Sequence, residues 1–383
     1  MIKRKRVVIN LSKMIEQGKT IGIIGGGQLG QMLALSAKQA GMYVNILDPN
    51  PHCSAGQVAD ELIVAAYDDQ QALAVLAKKS DVLTYEFENV DLDALEAVAQ
   101  FTYLPQGTEL LKITKDRILE KSFLQKHGLK TAPFRAVNNS DDLTKGLEEL
   151  GYPSILKTCQ GGYDGKAQYS LKTVADIKEA KALLEAGPCI LEGFVAFSME
   201  CSVMVGRNAD GEVAVFPVSE NIHRNHILHE SIVPARISST LQKKAQEVAE
   251  NVARALNLCG ILGVEMFIGK DQEIYINELA PRPHNSGHYS IEACNFSQFA
   301  VHNRAILNWP LPQIELLSPV VMVNVLGQHV DGVKQLIKQK PQWHFHDYCK
   351  DLAKVDRKMG HVTILTRDVE KTLAEIKTTK VWD

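Results

Sequence analysis

Two carboxylates followed by a basic, histidine-containing loop form the part of the chain best suited to chemistry. Residues 263–267 alternate apolar and polar side chains, the pattern breaks at 269–271, and it resumes over 273–279, which predicts a β-hairpin. Such a hairpin brings Glu265 and Glu278 together. A magnesium ion that carries a nucleotide usually takes one or two protein carboxylates plus phosphate oxygens. The hairpin is therefore a candidate magnesium-nucleotide site, although solvated surface acids explain either glutamate alone equally well.

A loop rich in proline, glycine and polar side chains follows this hairpin directly. Because proline and glycine interrupt regular strand pairing, residues 280–288 are expected to form a shaped loop. The polar side chains on it are Arg282, His284, Asn285, Ser286 and His288. A proline-rich turn without function is the alternative, but its position beside two acids favours a site.

The composition limits the class of protein. The 383 residues exceed one ordinary hydrophobic core, so two or three domains are expected. With 42 basic and 45 acidic residues and a net charge of -3, nucleic acid or an anionic membrane is not indicated as the main partner. The 7 cysteines form no C-x-x-C pair, which indicates a reducing compartment. The basic start of the chain lacks a signal-peptide core and no apolar run reaches membrane-spanning length, so we expect a soluble cytoplasmic protein.

The first part of the chain has the pattern of a dinucleotide-binding unit. A strand is predicted over 20–24, followed by a glycine turn and a helix. The turn matches G-x-G-x-x-G at Gly25, Gly27 and Gly30. Asp48 ends the next predicted strand, at about the distance expected of a ribose ligand. The pattern predicts an anion site at a helix N-terminus, so a dinucleotide, another phosphate ligand and an empty turn all stay open.

A second pair of acids ends the buried strand predicted within 81–90. Ligands gather at the carboxyl ends of strands in an open parallel sheet, so Glu86 and Glu88 are candidates for facing a substrate. Helix capping or a solvated position is an equally good role for them. The first domain is expected to end near residue 110.

The middle of the chain places basic residues where they can reach phosphates. Arg117 opens a predicted helix, and Lys157 ends a predicted strand that leads into the glycine-rich segment 161–168. Bare glycine amides can approach an anion closely, but the order of residues is not that of a Walker loop. Lys157 and Lys166 would therefore act as separate point charges on phosphates. A flexible hairpin tip is the alternative for the glycines.

Acids near the next predicted strands are candidates for binding a base or a ribose. The run 189–195 predicts a strand whose extended edge could bind an adenine amine, with Glu192 as an acceptor. Glu200, in the alternating run 199–205, is a second candidate for the ribose. His223 lies in a polar stretch, and taken alone it is more typical of a structural histidine.

Taken in order, these features resemble an ATP-grasp ligase. Five stretches resemble the 5-(carboxyamino)imidazole ribonucleotide synthase family of purine biosynthesis: GIIGGGQLGQM, TYEFENV, GGYDGKAQ, NELAPRPHNSGHY and RKMGHVT. The resemblance implies an α/β and α+β protein with a Rossmann-like pre-ATP-grasp domain over 1–110 and an ATP-grasp domain over 111–310. It also implies a mobile glycine-loop subdomain at about 130–195 and a small β-rich C-terminal domain over 311–383. The first domain of that family carries no NAD, which argues against a dehydrogenase.

The resemblance also implies a reaction, the ATP-dependent carboxylation of 5-aminoimidazole ribonucleotide by bicarbonate through carboxyphosphate, with Mg²⁺. The positions that match the family's ATP contacts are Arg117, Lys157, Gly162, Tyr163, Asp164, Gly165, Lys166, Ala167, Gln168, Glu192, Gly193, Phe194, Val195, Glu200, His223, Asn277 and Glu278. Glu265 and Glu278 match the magnesium ligands. Ala167 stands where the family usually has glycine, so a methyl group is expected to narrow the conformations of the loop.

Catalytic and substrate roles follow from the same resemblance. The expected catalytic residues are Tyr163, Asp164, Lys166 and Arg282. The cations would stabilise the transferring phosphoryl group, and Asp164 would orient or deprotonate the amine. The residues expected to bind the ribonucleotide are Gln28, Leu29, Glu86, His284, Asn285, Ser286, Lys350, Arg357 and Lys358.

The expected partners are small molecules, and family precedent suggests a homodimer. A biotin-dependent carboxylase and a formate-using transformylase share the grasp fold and are the related alternatives. An NAD-dependent dehydrogenase is the alternative from another class.

Overall fold

The part of the chain that the structure describes is organised around three β-sheets. The computed structural model describes residues 13–161 and 167–383. The predictions for Gly162, Tyr163, Asp164, Gly165 and Lys166, and for the basic segment before residue 13, lie outside the described residues. Within the two described ranges, none of the helices has the length and apolar character needed to cross a membrane.

The first unit is a parallel sheet with flanking helices. Its elements are β1 (Thr20–Ile24), α1 (Gln28–Gln39), β2 (Tyr43–Asp48), β3 (Glu61–Val64), α2 (Gln70–Lys78), β4 (Val82–Tyr85), α3 (Leu92–Val98) and α4 (Glu109–Thr114). The strand order is β3-β2-β1-β4, with every pair parallel. Strands β1 and β4 are almost wholly buried, as parallel strands covered on both faces must be. The predicted strand, glycine turn and helix are confirmed.

The second unit is a small antiparallel sheet, and the glycine-rich segment joins two of its strands in the sequence. Its elements are α5 (Arg117–Lys126), β5 (Phe134–Val137), α6 (Ser140–Leu150), β6 (Ser154–Thr158), β7 (Gln168–Leu171), α7 (Ile177–Glu185) and β8 (Cys189–Gly193). The strand order is β5-β8-β6-β7. The strand predicted at the start of 189–195 is confirmed as β8, but β5 and β6 pair with its two sides, so the edge predicted for adenine is left to the residues that follow it.

The third sheet is the largest, with nine strands. The elements of this part of the chain are β9 (Phe197–Arg207), β10 (Val213–Val215), β11 (Ser219–Arg224), β12 (Ile227–Val233), α8 (Ser239–Ala255), β13 (Gly260–Gly269), β14 (Ile274–Ala280), α9 (Ser290–Ala293), α10 (Gln298–Ile306), β15 (Val320–Leu326), α11 (Val330–Gln339), β16 (His344–Asp347), β17 (Lys358–Leu365) and α12 (Val369–Thr378). The order is β14-β13-β9-β11-β12-β15-β17-β16, with β10 beside β9. The C-terminal part is β-rich, as predicted, but it extends the large sheet because β15 pairs with β12.

Helix α10 fixes the first unit against the large sheet. Its Phe299 and Ile306 pack into the core of the first unit beside Leu29. Asn303 Nδ2, also on α10, donates to the Leu33 carbonyl oxygen at 3.0 Å. The glycine turn and the hairpin loop are consequently held in one arrangement across the contact between the two units.

Candidate active site

The two acids of the predicted hairpin lie side by side. Glu265 on β13 and Glu278 on β14 are direct partners in the antiparallel register, so their side chains leave the same face of the sheet. The register shifts between Glu265 and Met266, and bulges of this kind commonly re-aim a side chain beside a functional site. The predicted proximity of the two carboxylates is confirmed.

Each hairpin acid is held by a side chain from another element. The Arg117 guanidinium donates to Glu278 Oε2 at 2.9 Å, and His284 Nε2 lies 2.9 Å from Glu265 Oε1. Burial by itself would raise the pKa of Glu278, but the charge and hydrogen bond of Arg117, together with the charge of Lys157, lower it overall. The face of the hairpin therefore presents a charged acid with a displaceable partner.

This pair fits a magnesium ion that arrives with a nucleotide. Across the described ranges there is no group of three or more His, Cys, Asp or Glu side chains that could hold a metal by themselves. Two carboxylates on one face leave the remaining coordination positions to phosphate oxygens and water, which is the usual arrangement for Mg²⁺ with a nucleotide. The donor set is therefore suited to a metal-nucleotide complex rather than to a structural metal.

Helix α5 turns charged side chains toward the interior. Its inward face consists of Arg117, Glu120, Lys121 and Leu124. Glu120 is 2% exposed and Lys121 is 1% exposed, whereas the apolar Leu119 points largely to solvent. Sequence reasoning missed Glu120 and Lys121 because it followed the apolar residues. The available signal was the spacing i, i+3, i+4, i+7 of the charged stripe that ends in Leu124.

Two lysines flank Glu192 in the interior of the predicted nucleotide site. Lys157 Nζ donates to Glu192 Oε2 at 2.8 Å, and Lys121 Nζ lies 3.2 Å from Glu192 Oε1. Lys121 Nζ also donates to the Asn277 carbonyl oxygen at 3.1 Å. Burial alone would raise the pKa of Glu192, but the two lysines outweigh burial and lower it to about 2. Both oxygens of this buried carboxylate face lysines, which supply the charged partners that its burial requires, and the contact of Glu192 with a base or ribose stays a prediction.

Glu120 lies beneath the hairpin and supports strand β14. Its Oε2 accepts a hydrogen bond from the Leu279 N–H at 3.2 Å. Burial raises the pKa of Glu120 to about 8, and the neighbouring Glu278 carboxylate adds to this. The raised pKa favours the neutral form of Glu120, which reduces the repulsion between its carboxyl group and that of Glu278.

Glu200 and His223 form a pair on adjacent strands of the large sheet. His223 Nδ1 on β11 lies 2.8 Å from Glu200 Oε2 on β9. Burial disfavours the charged imidazole, but Glu200 outweighs burial and raises the pKa of His223. The structure thus brings together two residues that the sequence assigned separately to ATP.

The segment after β8 passes from the buried strand to the surface. The Gly193 N–H donates to the Pro133 carbonyl oxygen at 2.8 Å, and a Cβ at Gly193 would lie only 3.0 Å from Pro133 Cγ. This close approach favours glycine. Phe194 is exposed and Val195 is half-buried, so the segment predicted to contact the adenine presents an aromatic ring to solvent.

The glycine turn of the first unit already binds two carboxylates of the protein itself. Glu86 accepts from the Gly27 and Gly30 N–H groups at 2.8 and 2.9 Å. Asp48 Oδ2 accepts from the Gly26 N–H at 2.7 Å. N–H groups of this turn are the ones that would receive a dinucleotide pyrophosphate. The turn therefore keeps the geometry of a dinucleotide fold while its own acids take the anion positions.

Gln28 and Leu29 lie at the start of α1, beside this carboxylate. Leu29 is buried and packs in the core of the first unit, so only its backbone can meet a ligand, whereas Gln28 is half-buried. Burial raises the pKa of Glu86, although its two N–H partners oppose the shift. The role that the structure gives Glu86 is a helix cap, one of the alternatives left open by the sequence.

Arg282 connects the hairpin to the acids of the first unit. Its NH2 group lies 2.7 Å from Glu88 Oε1. Burial alone would lower the pKa of Arg282, but Glu88, followed by Glu86 and Glu278, raises it. Arg282 consequently lies within electrostatic reach of both acid pairs.

Asn285 and Ser286 are engaged within the protein. Asn285 and Asn324 exchange two amide hydrogen bonds of 2.9 and 2.6 Å. The Ser286 hydroxyl, fully buried, lies 2.8 Å from His284 Nδ1 and 2.6 Å from Ser202 Oγ. The Ser286 hydroxyl therefore supports His284, and its contact with the ribonucleotide stays a prediction.

The three predicted phosphate-binding cations cluster beside β17. Lys350 Nζ donates to the Lys358 carbonyl oxygen at 2.8 Å. Burial lowers the pKa of Lys350 to about 8, Arg357 adds to the shift, and Glu86 opposes it. Lys350 thus lies within electrostatic reach of Glu86 in the first unit.

Ala167 and Gln168 lead from the glycine segment into β7. Gln168 pairs with Lys157 across the hairpin. Ala167 has φ = 58°, in the left-handed region that favours glycine. The alanine is therefore strained, which gives the departure from the usual glycine a physical cost.

Family models match three successive stretches of the chain. They are the ribonucleotide synthetase preATP-grasp domain over 18–114, the ATP-grasp domain over 122–299 and the phosphoribosylaminoimidazole carboxylase C-terminal domain over 320–375. Together with the carboxylate hairpin and the buried lysines, these matches define an ATP-grasp ligase.

Relatives along the whole chain specify the branch of that class. The N5-carboxyaminoimidazole ribonucleotide synthase of Bacillus subtilis is 48% identical over 370 residues, which cover 97% of each chain. A solved N5-carboxyaminoimidazole ribonucleotide synthetase in complex with ADP is 53% identical, with a TM-score of 0.95, over 97% of this chain and 99% of the other. The Aspergillus clavatus enzyme in complex with ADP and 5-aminoimidazole ribonucleotide is 34% identical, with a TM-score of 0.90, over 96% and 99%. The chain belongs to the N5-carboxyaminoimidazole ribonucleotide synthase family, so the family resemblance seen in the sequence is confirmed.

Proposed function

We propose that the chain carboxylates the amine of 5-aminoimidazole ribonucleotide with bicarbonate and ATP, releasing ADP and phosphate, as a step of purine biosynthesis. The observation that carries the proposal is similarity to N5-carboxyaminoimidazole ribonucleotide synthases over 97% of the chain. The face that carries Glu265 and Glu278, with Arg117 and Lys157 close by, supplies the charges that phosphoryl transfer needs.

The nucleotide is proposed to bind on the face of the hairpin. Arg117 and Lys157 are held in place by Glu278 and Glu192, and they are the cations available to the phosphates. Mg²⁺ held by Glu265 and Glu278 would neutralise phosphate charge during transfer. Bicarbonate is a weak nucleophile, and its phosphorylation to carboxyphosphate makes its carbon reactive toward the amine.

The ribonucleotide is proposed to bind between the first unit and the C-terminal strands. Arg282 is within electrostatic reach of acids from both the first unit and the hairpin, so it is suited to the anionic carbon donor. Lys350, Arg357 and Lys358 are suited to the ribonucleotide phosphate. Tyr163, Asp164 and Lys166 lie outside the described residues and stay predicted catalytic residues.

We also propose, from resemblance to the family, how the chain is divided into domains, its oligomeric state and its location in the cell. These are domain boundaries near residues 110 and 310, a homodimer and a cytoplasmic location. The absence of disulfides among the 7 free cysteines is compatible with a reducing compartment.

The direct test is ADP formation with bicarbonate, measured with and without 5-aminoimidazole ribonucleotide, formate or biotin. We expect full turnover only with bicarbonate and the ribonucleotide together, and ¹³C-bicarbonate should label the product carbamate. ADP formation that depends on formate or biotin would assign the chain to another grasp ligase.

The ribonucleotide site has its own test in Arg357→Ala. Loss of a ground-state phosphate contact should raise KM for the ribonucleotide far more than KM for ATP. Lys334→Ala removes a cation from the exposed face of α11 and is the matched control. Equal effects of Arg357→Ala on both KM values would place the phosphate elsewhere.

A further inference from the structure

A chain of hydrogen bonds runs from the interior of the large sheet to Glu265. Its members, from the site inward, are Glu265, His284, Ser286, Ser202 and Asn221, with Ser219 and Ser231 at the inner end. They come from strands β13, β9, β11 and β12 and from the loop after β14. The reaction proposed above assigns no role to Ser202 or Asn221.

The position of the proton on His284 follows from its two neighbours. Nε2 lies 2.9 Å from Glu265 Oε1, and a carboxylate can only accept, so Nε2 carries the proton. Nδ1 accepts from the Ser286 N–H at 3.4 Å and lies 2.8 Å from the Ser286 hydroxyl. Nδ1 is consequently an acceptor, and the imidazole is held as the tautomer with its hydrogen on Nε2.

The direction of every further bond follows from this tautomer. The Ser286 hydroxyl spends its single proton on Nδ1, so it accepts from Ser202 Oγ across 2.6 Å. Ser202 has then used its own proton and accepts from Asn221 Nδ2 at 2.9 Å. Asn221 Oδ1 accepts from the hydroxyls of Ser219 and Ser231 at 3.0 and 3.1 Å. All donors therefore point toward Glu265.

Burial makes this direction hard to change. Ser286 and Ser231 are 0% exposed and Ser202 is 1% exposed, so water does not compete for their hydrogen bonds. Reversing one member would leave a buried donor or acceptor without a partner, which is unfavourable. His284 itself reaches the site, where 16% of its side chain is exposed.

We propose that Ser286, Ser202 and Asn221 are positioning residues for the metal-binding acid. They hold His284 as a fixed donor to one oxygen of Glu265, which orients the carboxylate and leaves its other oxygen to the metal. This inference rests on the proposed role of Glu265 as a magnesium ligand. Outer hydrogen bonds of this kind orient metal ligands, and their loss typically costs about 10–100-fold in affinity or activity.

The first test is the ¹⁵N spectrum of histidine-labelled full-length protein without nucleotide or magnesium. His284→Gln identifies the His284 resonances by their disappearance. We expect one protonated Nε2 and one unprotonated Nδ1 in the unchanged protein, and a mixture of tautomers in Ser286→Ala. A hydrogen on Nδ1 in the unchanged protein, or a Ser286→Ala spectrum identical to it, would overturn the proposal.

The second test is the magnesium concentration that gives half-maximal ADP formation. Ser286→Ala should raise it about 10–100-fold, and Ser202→Ala, one bond further away, should raise it less. Ser198→Ala is the matched control on the same strand. The Ser198 hydroxyl donates to the Ile268 carbonyl oxygen and is not part of the series of hydrogen bonds that ends at Glu265. An effect of Ser198→Ala as large as that of Ser202→Ala would mean that these hydrogen bonds contribute to folding in general and do not position Glu265.

The two tests separate this inference from the proposed function. The tautomer is measured in the absence of substrates, so its result stands even if the carboxylation assay fails. If Ser286→Ala does not fold, the spectra of the unchanged protein and of Ser202→Ala still decide the question. Normal carboxylation by a protein whose His284 carries its hydrogen on Nδ1 would overturn the positioning role of Ser286, Ser202 and Asn221 and leave the proposed function intact.

Discussion

The hairpin of the large sheet and the glycine turn of the first unit each place two acids beside positive groups, with opposite results. In the turn, Asp48 and Glu86 are 6% and 7% exposed, and backbone N–H groups hold them. In the hairpin, the side chains of Glu265 and Glu278 are 17% and 40% exposed, and other side chains hold them. Backbone partners cannot leave without disturbing the helix start, whereas side chains can rotate away from an acid. The turn therefore uses its acids for structure, and the hairpin keeps its acids available.

The comparison also explains why a motif can mislead. Gly25, Gly27 and Gly30 form the expected turn, and Gly25 has φ = 106°, which suits glycine alone. The Asp48 carboxylate, which also accepts from the Tyr67 hydroxyl at 2.6 Å, occupies the role a ligand would have. A glycine pattern thus predicts a backbone shape, while the neighbouring side chains decide whether an anion can enter it.

The largest effect is expected from Glu278→Gln. The amide keeps the shape of the side chain but removes the charge needed for magnesium, so turnover should fall by more than about 10³-fold with the fold intact. ADP formation across a magnesium titration measures this, and circular dichroism checks the fold. Glu273→Gln changes an acid at the turn of the same hairpin, which pairs with Lys130 instead of Arg117, and is the matched control. Full activity of Glu278→Gln at ordinary magnesium concentrations would show that the hairpin acids do not bind magnesium and so do not differ in function from the acids of the glycine turn.

A smaller effect on activity is expected from pH, through the charge of Lys350, which interacts with Glu86 of the glycine turn. Burial and Arg357 lower the pKa of Lys350 to about 8, so the free enzyme loses this ammonium as pH rises through that value. We expect kcat/KM for the ribonucleotide to fall about tenfold between pH 7 and pH 9, because this parameter reports groups of the free enzyme. Lys350→Arg keeps its charge over this range and should flatten the profile. A decline of the same size for kcat/KM with ATP would mean that a different group titrates.

A stability effect is expected from Glu86→Ala. The change leaves the N–H groups of Gly27 and Gly30 without their carboxylate, so the free energy of unfolding should fall by about 1–2 kcal/mol. Urea denaturation monitored by circular dichroism measures it. Glu61→Ala removes a more exposed acid of the same unit and is the comparison. If Glu86→Ala is as stable as the unchanged protein, the Glu86 carboxylate is not needed to hold the glycine turn.

The smallest signal is expected from NADH. Since Asp48 and Glu86 already occupy the N–H groups of the turn, fluorescence titration should show no binding in the micromolar range. A saturable micromolar Kd would show that the carboxylates leave the turn as easily as side chains leave the hairpin.

Much of the fold was predictable because it follows from local pattern. The strand, turn and helix over 20–39 and the hairpin that joins Glu265 to Glu278 follow from alternation and glycine positions. The position of β8 between β5 and β6 was not predictable in this way, because strand neighbours depend on pairing across the sheet. The helical spacing of Glu120 and Lys121 is visible in the sequence, but their burial is not, because it depends on contact of α5 with β14 and β8.

The sequence by itself determined the family, the order of the elements and the two acids of the hairpin, because these depend on residue types and short spacings. Tertiary structure alone decided which acids are available, since Glu86 and Glu265 differ only in what surrounds them. It also decided that Ser202, a residue with no motif, lies behind His284. Hydrogen-bond partners and burial are properties of chain segments that meet in space, and spacing along the sequence does not contain them.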